Sequence, residues 1–337
     1  MARLWGGIGK IRYLVSETQK EINIEPGELT GTIVPLVTPF TADESFDAQA
    51  MGRLIDYVLD QGADALMPTA LTGEGPLLDD DETLAVWDAV FEKAGGRIPI
   101  VPAVISTTTR KAIRLTRTAE ERGAAAVMVA PILPELYAGR SHDDVYAFYA
   151  DVAAAMSLPI ILFNYPSLTG VDFVPPLVAR LVEIDNVRYI KESTGDIKRV
   201  HGIQRLVGER LSVICGAPNV ALESLALGCR AWITGIMNVV PRSAQQLVRA
   251  VGELGDLHLA RRIYYTQILP VVDVLARNYN PTGTIKAGVR ARGVDVGVPR
   301  RPGHSVGPTD REHLERLIAD IARAEVETAA ELAARQA

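Results

Sequence analysis

From Thr32 onward the chain alternates, eight times in succession, between a short run rich in Val, Ile and Leu and a longer amphipathic stretch. The short runs lie at residues 32–37, 65–68, 98–104, 125–130, 159–164, 187–191, 211–215 and 231–235. Helical periodicity covers residues 47–61, 79–94, 108–122, 141–156, 175–182, 197–207, 220–227 and 242–252. Near-continuous apolar strands need cover on both faces, and right-handed crossovers put the helices outside a parallel sheet. Eight such units are what an α/β fold of the (β/α)8 barrel type requires. An open doubly wound sheet is the alternative, but no Gly-rich phosphate loop follows the first strand. Asp79 and Ser141 stand where helix starts are expected, and Gly62, Gly123, Gly208 and Gly228 where helices close.

Beyond Gly255 the pattern is helical only, over residues 257–276, 284–292 and 309–333, with Pro281 and the Pro/Gly-rich stretch 298–308 as punctuation. The division that follows is an N-terminal arm (1–30), a barrel (31–255) and a C-terminal helical extension (256–337). With 48% hydrophobic and 23% charged residues, the chain can build a sizeable core. A net charge of −6 argues against nucleic acid as a partner. No apolar run reaches the length of a membrane span, and the arm lacks the apolar core of a signal peptide, so a cytoplasmic protein is expected. The arm itself is either disordered or docked on a partner subunit. Cys215 and Cys229 sit in apolar surroundings and are expected to be buried, reduced thiols.

In such barrels chemistry collects at the C-terminal ends of the strands. There, the segment NVRYIKEST places Lys191 at the end of the sixth apolar run, with Tyr189 pointing the same way. If that way is inward, the amine is desolvated, its pKa falls, and free amine becomes available to attack a carbonyl. The alternative is a solvated lysine closing a strand, and pattern alone favours that one. After the second strand, the turn in PTALTGEGPLL offers donors from Thr72, Gly73 and Glu74 near a helix start, a place that can hold a carboxylate. It can equally be a plain βα turn. The acidic run 79–82 reads as the first turn of a helix rather than a metal cluster, and His142, His201, His258 and His304 lack partners at ligand spacing. The basic run 290–301 reads as a solvated surface or a subunit contact.

Seven segments, in order, resemble the dihydrodipicolinate synthase / N-acetylneuraminate lyase family: GTIVPLVTPF, LTGE, FNYPSLTG, IKEST, ICGAPN around Gly216, ITGIMN and NPTGTIK. The resemblance covers about residues 30 to 320. It implies a barrel with a C-terminal helical extension, assembled as a homotetramer or homodimer, that needs neither metal nor cofactor. It implies a Schiff base between Lys191 and pyruvate or another 2-oxo acid, the imine acting as an electron sink for making or breaking a carbon–carbon bond. By match of position, Thr72 and the Gly73 backbone would hold the substrate carboxylate, and Ile233 would line the pocket by its carbonyl.

Four places depart from the family pattern. Phe163 stands where the relay tyrosine is usual and Leu71 where a hydroxyl residue precedes Thr72. Ile132 and Leu133 replace a tyrosine pair, and Leu168 an arginine. A lost general acid or base commonly costs about 100- to 10,000-fold in rate. The departures therefore argue against ordinary dihydrodipicolinate synthesis and against a polyhydroxylated substrate. One reading is a lyase with a rebuilt proton relay and a less polar acceptor, for which Tyr165, Tyr189 and Tyr137 are the candidate hydroxyls. Within it stand the alternatives of 4-hydroxy-tetrahydrodipicolinate synthase and of a keto-deoxy sugar acid aldolase or dehydratase. The other reading is a non-catalytic paralogue that binds a 2-oxo acid.

Overall fold

The computed structural model describes residues 28–131, 141–278 and 280–336. Its strands are β1 (Gly31–Pro35), β2 (Ala65–Met67), β3 (Ala103–Ser106), β4 (Val127–Pro131), β5 (Ile160–Asn164), β6 (Val187–Glu192), β7 (Ser212–Cys215) and β8 (Ala231–Ile233). All paired strands are parallel, in the order β2-β1-β8-β7-β6-β5-β4-β3. A Leu66–Ile100 bridge joins the two ends, with Val101 N–H donating to Leu66 O at 2.8 Å and Ala103 N–H to Pro68 O at 3.0 Å. The ring is a (β/α)8 barrel. The third strand starts later than residue 98 because Pro99 and Pro102 bring no N–H to a ladder, so regular pairing begins at Ala103.

The helices are α1 (Ala48–Asp60), α2 (Asp80–Ala94), α3 (Thr109–Glu121), α4 (His142–Ala153), α5 (Pro166–Thr169), α6 (Pro175–Leu181), α7 (Ile197–Val207), α8 (Ala221–Ala226) and α9 (Pro241–Gly252). Asp79 and Ser141 each close a capping box with the residue three positions on, which makes the acidic run 79–82 the start of α2. The glycines at 62, 123, 208 and 228 all take positive φ just beyond their helices. The extension comprises α10 (Leu257–Ile263), a π-helical turn (Tyr264–Ile268), α11 (Leu269–Arg277), α12 (Pro281–Ala291) and α13 (Pro308–Gln336). The π turn replaces the unbroken helix expected over 257–276: Pro270, at the second position of α11, has no N–H for the ladder and displaces its spacing. Pro281 is not a break either. It is the first residue of α12, where a missing N–H costs nothing, and the Asn280 side chain caps the turn by accepting from Gly283 N–H at 3.0 Å.

Alternation along the strands splits the core in two. One side chain of each pair packs outward against the helices, and the other fills the barrel with residues such as Ile33, Met67, Met128, Ile161, Ile214 and Ile233. The floor is closed by Leu29, 4% exposed, whose preceding Glu28 pairs with Arg230 at 2.9 Å. Residues 1–27 of the expected arm lie outside the described residues. No described helix is long and apolar enough to cross a membrane.

Candidate active site

Lys191 is inward, buried and at the top of β6. It stands level with Phe163 on β5 and Ile214 on β7, and its Nζ lies 4.4 Å from the centre of the Phe163 ring. Burial away from water pushes the amine down to about 8. The Cys215 thiol beside it pulls the other way only as thiolate, and burial pushes that thiol up to about 11, so at neutral pH it is a neutral neighbour. The Phe163 face does favour a cation at this spot, by roughly 0.5–2 kcal/mol for such contacts. An iminium formed on Nζ would meet the same ring.

Two neighbours shape the lysine's surroundings. Gly216, just past β7, leaves no room for a side chain: a Cβ there would sit 2.9 Å from both Lys191 Cγ and Glu192 O, and well inside contact with Ser193 Oγ. Glu192 faces the other way and ties β6 to β5, accepting from Asn164 Nδ2 at 2.7 Å and from Thr194 N–H at 2.7 Å. Desolvation raises its pKa, and these bonds oppose the rise. Asn164 in turn accepts from Phe173 N–H at 3.0 Å, so the ends of both strands are cross-braced.

The turn after β2 is folded tightly against the mouth. Thr69 and Glu74 both take left-handed backbone, with φ of 58° and 56°. Thr69 is held there because its hydroxyl accepts from Trp87 Nε1 at 2.8 Å and lies 2.9 Å from Ala103 O. Thr38 Oγ1 donates to Gly73 O at 2.6 Å, and a Cβ on Gly73 would come within 2.7 Å of Leu36 O. Thr72 lies against the end of β8, its hydroxyl 2.9 Å from where a Cβ on Gly235 would be. Asn238 completes the seam, accepting from Val37 N–H at 3.1 Å and donating to Pro35 O at 2.8 Å. Thr72, Gly73 and Ile233 are thus brought to one side of the mouth by β1, β2 and β8.

The remaining expectations separate. Leu71 packs on the inner cluster. Tyr165 and Leu168 lie on the rim, 39% and 37% exposed, with the Tyr165 ring 6.0 Å from that of Phe163. Tyr189 faces inward as its parity requires, yet it belongs to the floor. Its hydroxyl accepts from Leu29 N–H at 3.2 Å, on the far side of the barrel interior from the strand end. Ile132, Leu133 and Tyr137 lie outside the described residues. Sequence reasoning passed over Glu74's partners altogether. Glu74 Oε1 is 2.7 Å from Lys286 Nζ, a buried pair, and Oε2 accepts from Arg300 N–H at 2.9 Å. The basic run 290–301 is not simply solvated: Arg300 is clamped by Glu82 at 2.6 Å and stacks on Phe40. The only sequence hint was that Lys286 and Glu74 both fall within the quoted motifs.

Fold and site together define a (β/α)8 barrel with a buried lysine amine at its mouth. The family model of the dihydrodipicolinate synthetase family matches residues 28–322. A 4-hydroxy-tetrahydrodipicolinate synthase from Syntrophus aciditrophicus is 34% identical over 288 residues, 86% of this chain and 97% of that protein. A structure of a candidate dihydrodipicolinate synthetase from Pseudomonas aeruginosa superposes with a TM-score of 0.83 at 37% identity, covering 87% of this chain and all of that one. The chloride-inhibited dihydrodipicolinate synthase from Acinetobacter baumannii, complexed with pyruvate, superposes at 0.81 with 28% identity, covering 88% and 99%. The chain belongs to the dihydrodipicolinate synthetase family and is a lyase of that family.

Proposed function

We propose that this enzyme captures pyruvate or another 2-oxo acid as a Schiff base on Lys191 and uses it to make or break a carbon–carbon bond with a less polar acceptor than is usual in the family. The observation that carries the reading is the Lys191 amine, buried against the Phe163 ring and lowered to about 8. The free amine attacks the C2 carbonyl, and loss of water leaves an iminium. Removal of a proton from C3 then gives an enamine, whose carbon can attack an aldehyde; cleavage runs the steps in reverse. Thr72 and the Gly73 amide hold the carboxylate. Phe163, Leu71 and Leu168 offer apolar surface to the acceptor, and Tyr165, whose ring lies 6.0 Å from that of Phe163, serves protons at the rim. The pyruvate-bound relative supports a 2-oxo acid, and the names of the curated relatives favour 4-hydroxy-tetrahydrodipicolinate synthesis as the rival reaction. The reading carries with it a homotetramer or homodimer, to be measured by sedimentation.

Borohydride reduction with pyruvate, followed by intact mass, tests the first half. A covalent adduct is expected; its absence with every 2-oxo acid tried would leave the binding paralogue. The trapping rate should also follow the free amine. A lysine near 8 is about one-tenth neutral at pH 7, so the rate should climb roughly tenfold per unit below 8 and flatten above it. A profile still climbing at pH 10 would mean an unperturbed lysine. Tyr165→Phe should cut turnover by about 100- to 10,000-fold with the half-saturating 2-oxo acid concentration little changed. Tyr189→Phe should leave turnover alone and lower stability by about 1 kcal/mol, the net worth of its bond to Leu29. Comparable turnover losses in both variants would contradict the assignment of Tyr189 to the floor.

A further inference from the structure

Lys286 lies in the extension, not in the barrel, yet it is 2% exposed and its ammonium is fully engaged. It is 2.7 Å from Glu74 Oε1, donates to Val298 O at 2.9 Å and stands 4.4 Å over the Phe40 ring. Glu74 is the residue after Gly73 in the turn beyond β2, and it is 5% exposed with left-handed backbone. Its second oxygen takes the Arg300 N–H, and the Arg300 guanidinium reaches Glu82 at the start of α2, Leu77 O at 3.0 Å and Glu44 O at 2.6 Å. Gly297 presses directly onto the Phe40 backbone, with φ of 69° and no space for a Cβ. Segment 297–300 is therefore a strap laid over the turns that follow β1 and β2, and Lys286 and Arg300 fasten it to Glu74.

We infer that Lys286 is a positioning residue for the 2-oxo acid carboxylate: it acts through Glu74 to hold Thr72 and the Gly73 amide in their receiving geometry. The inference rests on the proposed 2-oxo acid site. Two facts make the buried pair the fastener rather than a passive core contact. The turn carries left-handed backbone at two non-glycine residues, a costly conformation that persists only when surroundings over-determine it. A carboxylate left in that place without its ammonium would be a buried, uncompensated charge, which the turn relieves by opening toward water. The extension thereby sets substrate affinity from outside the barrel, while the strand that carries the amine is braced separately by Glu192.

The test is carried out on the full chain, with pyruvate as the probe. The half-saturating pyruvate concentration for borohydride trapping and the trapping rate at saturation are measured for Lys286→Met, for the double variant Glu74→Gln/Lys286→Met, and for Arg300→Gln. Lys286→Met should raise the half-saturating concentration by about 10- to 100-fold, as expected for a receiving group displaced by about an ångström, with the saturated trapping rate within about threefold of the parent. The double variant, which removes both charges, should recover most of that loss; a general weakening of the fold would instead make it worse than the single change. Arg300→Gln keeps the buried pair and cuts only the clamp, and should raise the half-saturating concentration several-fold even if Lys286→Met fails to fold. An unchanged half-saturating concentration in folded Lys286→Met, or in Arg300→Gln where the first does not fold, overturns the inference. So does a loss confined to the saturated rate. If the parent itself gives no adduct with pyruvate or any other 2-oxo acid, the proposed function falls and this inference with it. A normal adduct in the parent with unaltered affinity in the variants removes the inference alone.

Discussion

Lys191→Met is expected to abolish the borohydride-trapped adduct and to lower turnover by on the order of 10,000-fold or more, since a covalent route loses its nucleophile. Its stability should be equal to the parent's or higher. Methionine keeps an unbranched stem of similar length in the slot beside Phe163 and Ile214. It also removes an amine whose charged form the burial disfavours, the force that brings it down to about 8. Replacing a buried charge by a well-fitting apolar group is often neutral or stabilising. The melting curve and the mass spectrum therefore move independently, and that separates loss of chemistry from loss of fold. Residual turnover within tenfold of the parent would remove Lys191 from the mechanism.

Gly216→Ala is expected to do nearly as much damage by adding a single methyl. The new Cβ meets Lys191 Cγ and Glu192 O at 2.9 Å and Ser193 Oγ closer still. The carbonyl is fixed, because it accepts the Gly216 N–H at 2.8 Å. Something must therefore move, and the lysine stem is the softest neighbour. A shift of about 1 Å at a reacting group can cost on the order of 100-fold, while overpacking of this kind commonly costs about 1–3 kcal/mol of stability. Stopped-flow trapping should show slower imine formation on an otherwise folded enzyme. Adding Ser193→Ala should recover part of the rate by clearing one of the three clashes. Unchanged imine formation in Gly216→Ala would mean the amine is not held through this contact.

Much of this was legible in the chain. The eightfold alternation of apolar and amphipathic stretches requires strands covered on both faces, and the observed ring follows it strand by strand. Departures occur where proline withholds an N–H, at the start of β3 and in the π turn before α11. Parity alone told that Tyr189 and Lys191 share a direction. It could not tell which layer of the barrel each occupies, and two positions along the strand separate a residue at the floor from one at the mouth. Tyr189 accordingly bonds to Leu29, 160 residues away.

Lys191 was a strand-end amine that the sequence, with the motifs around it, could nominate as a nucleophile. The chemistry needed is local, an amine after an apolar run. Whether that amine is lowered toward neutral pH depends on what excludes water from it, and Phe163 on β5 and Ile214 and Gly216 at the end of β7 do so from two other segments. The same holds for the turn at 72–74. Its donors are written in consecutive residues, whereas the forces that hold it come from Lys286 and Arg300, more than 200 positions later. Short-range patterns of burial and hydrogen bonding repeat with the period of helix and strand, and so can be read from sequence. Desolvation and charge pairing depend on distances in space, which only the closed barrel and its strap determine.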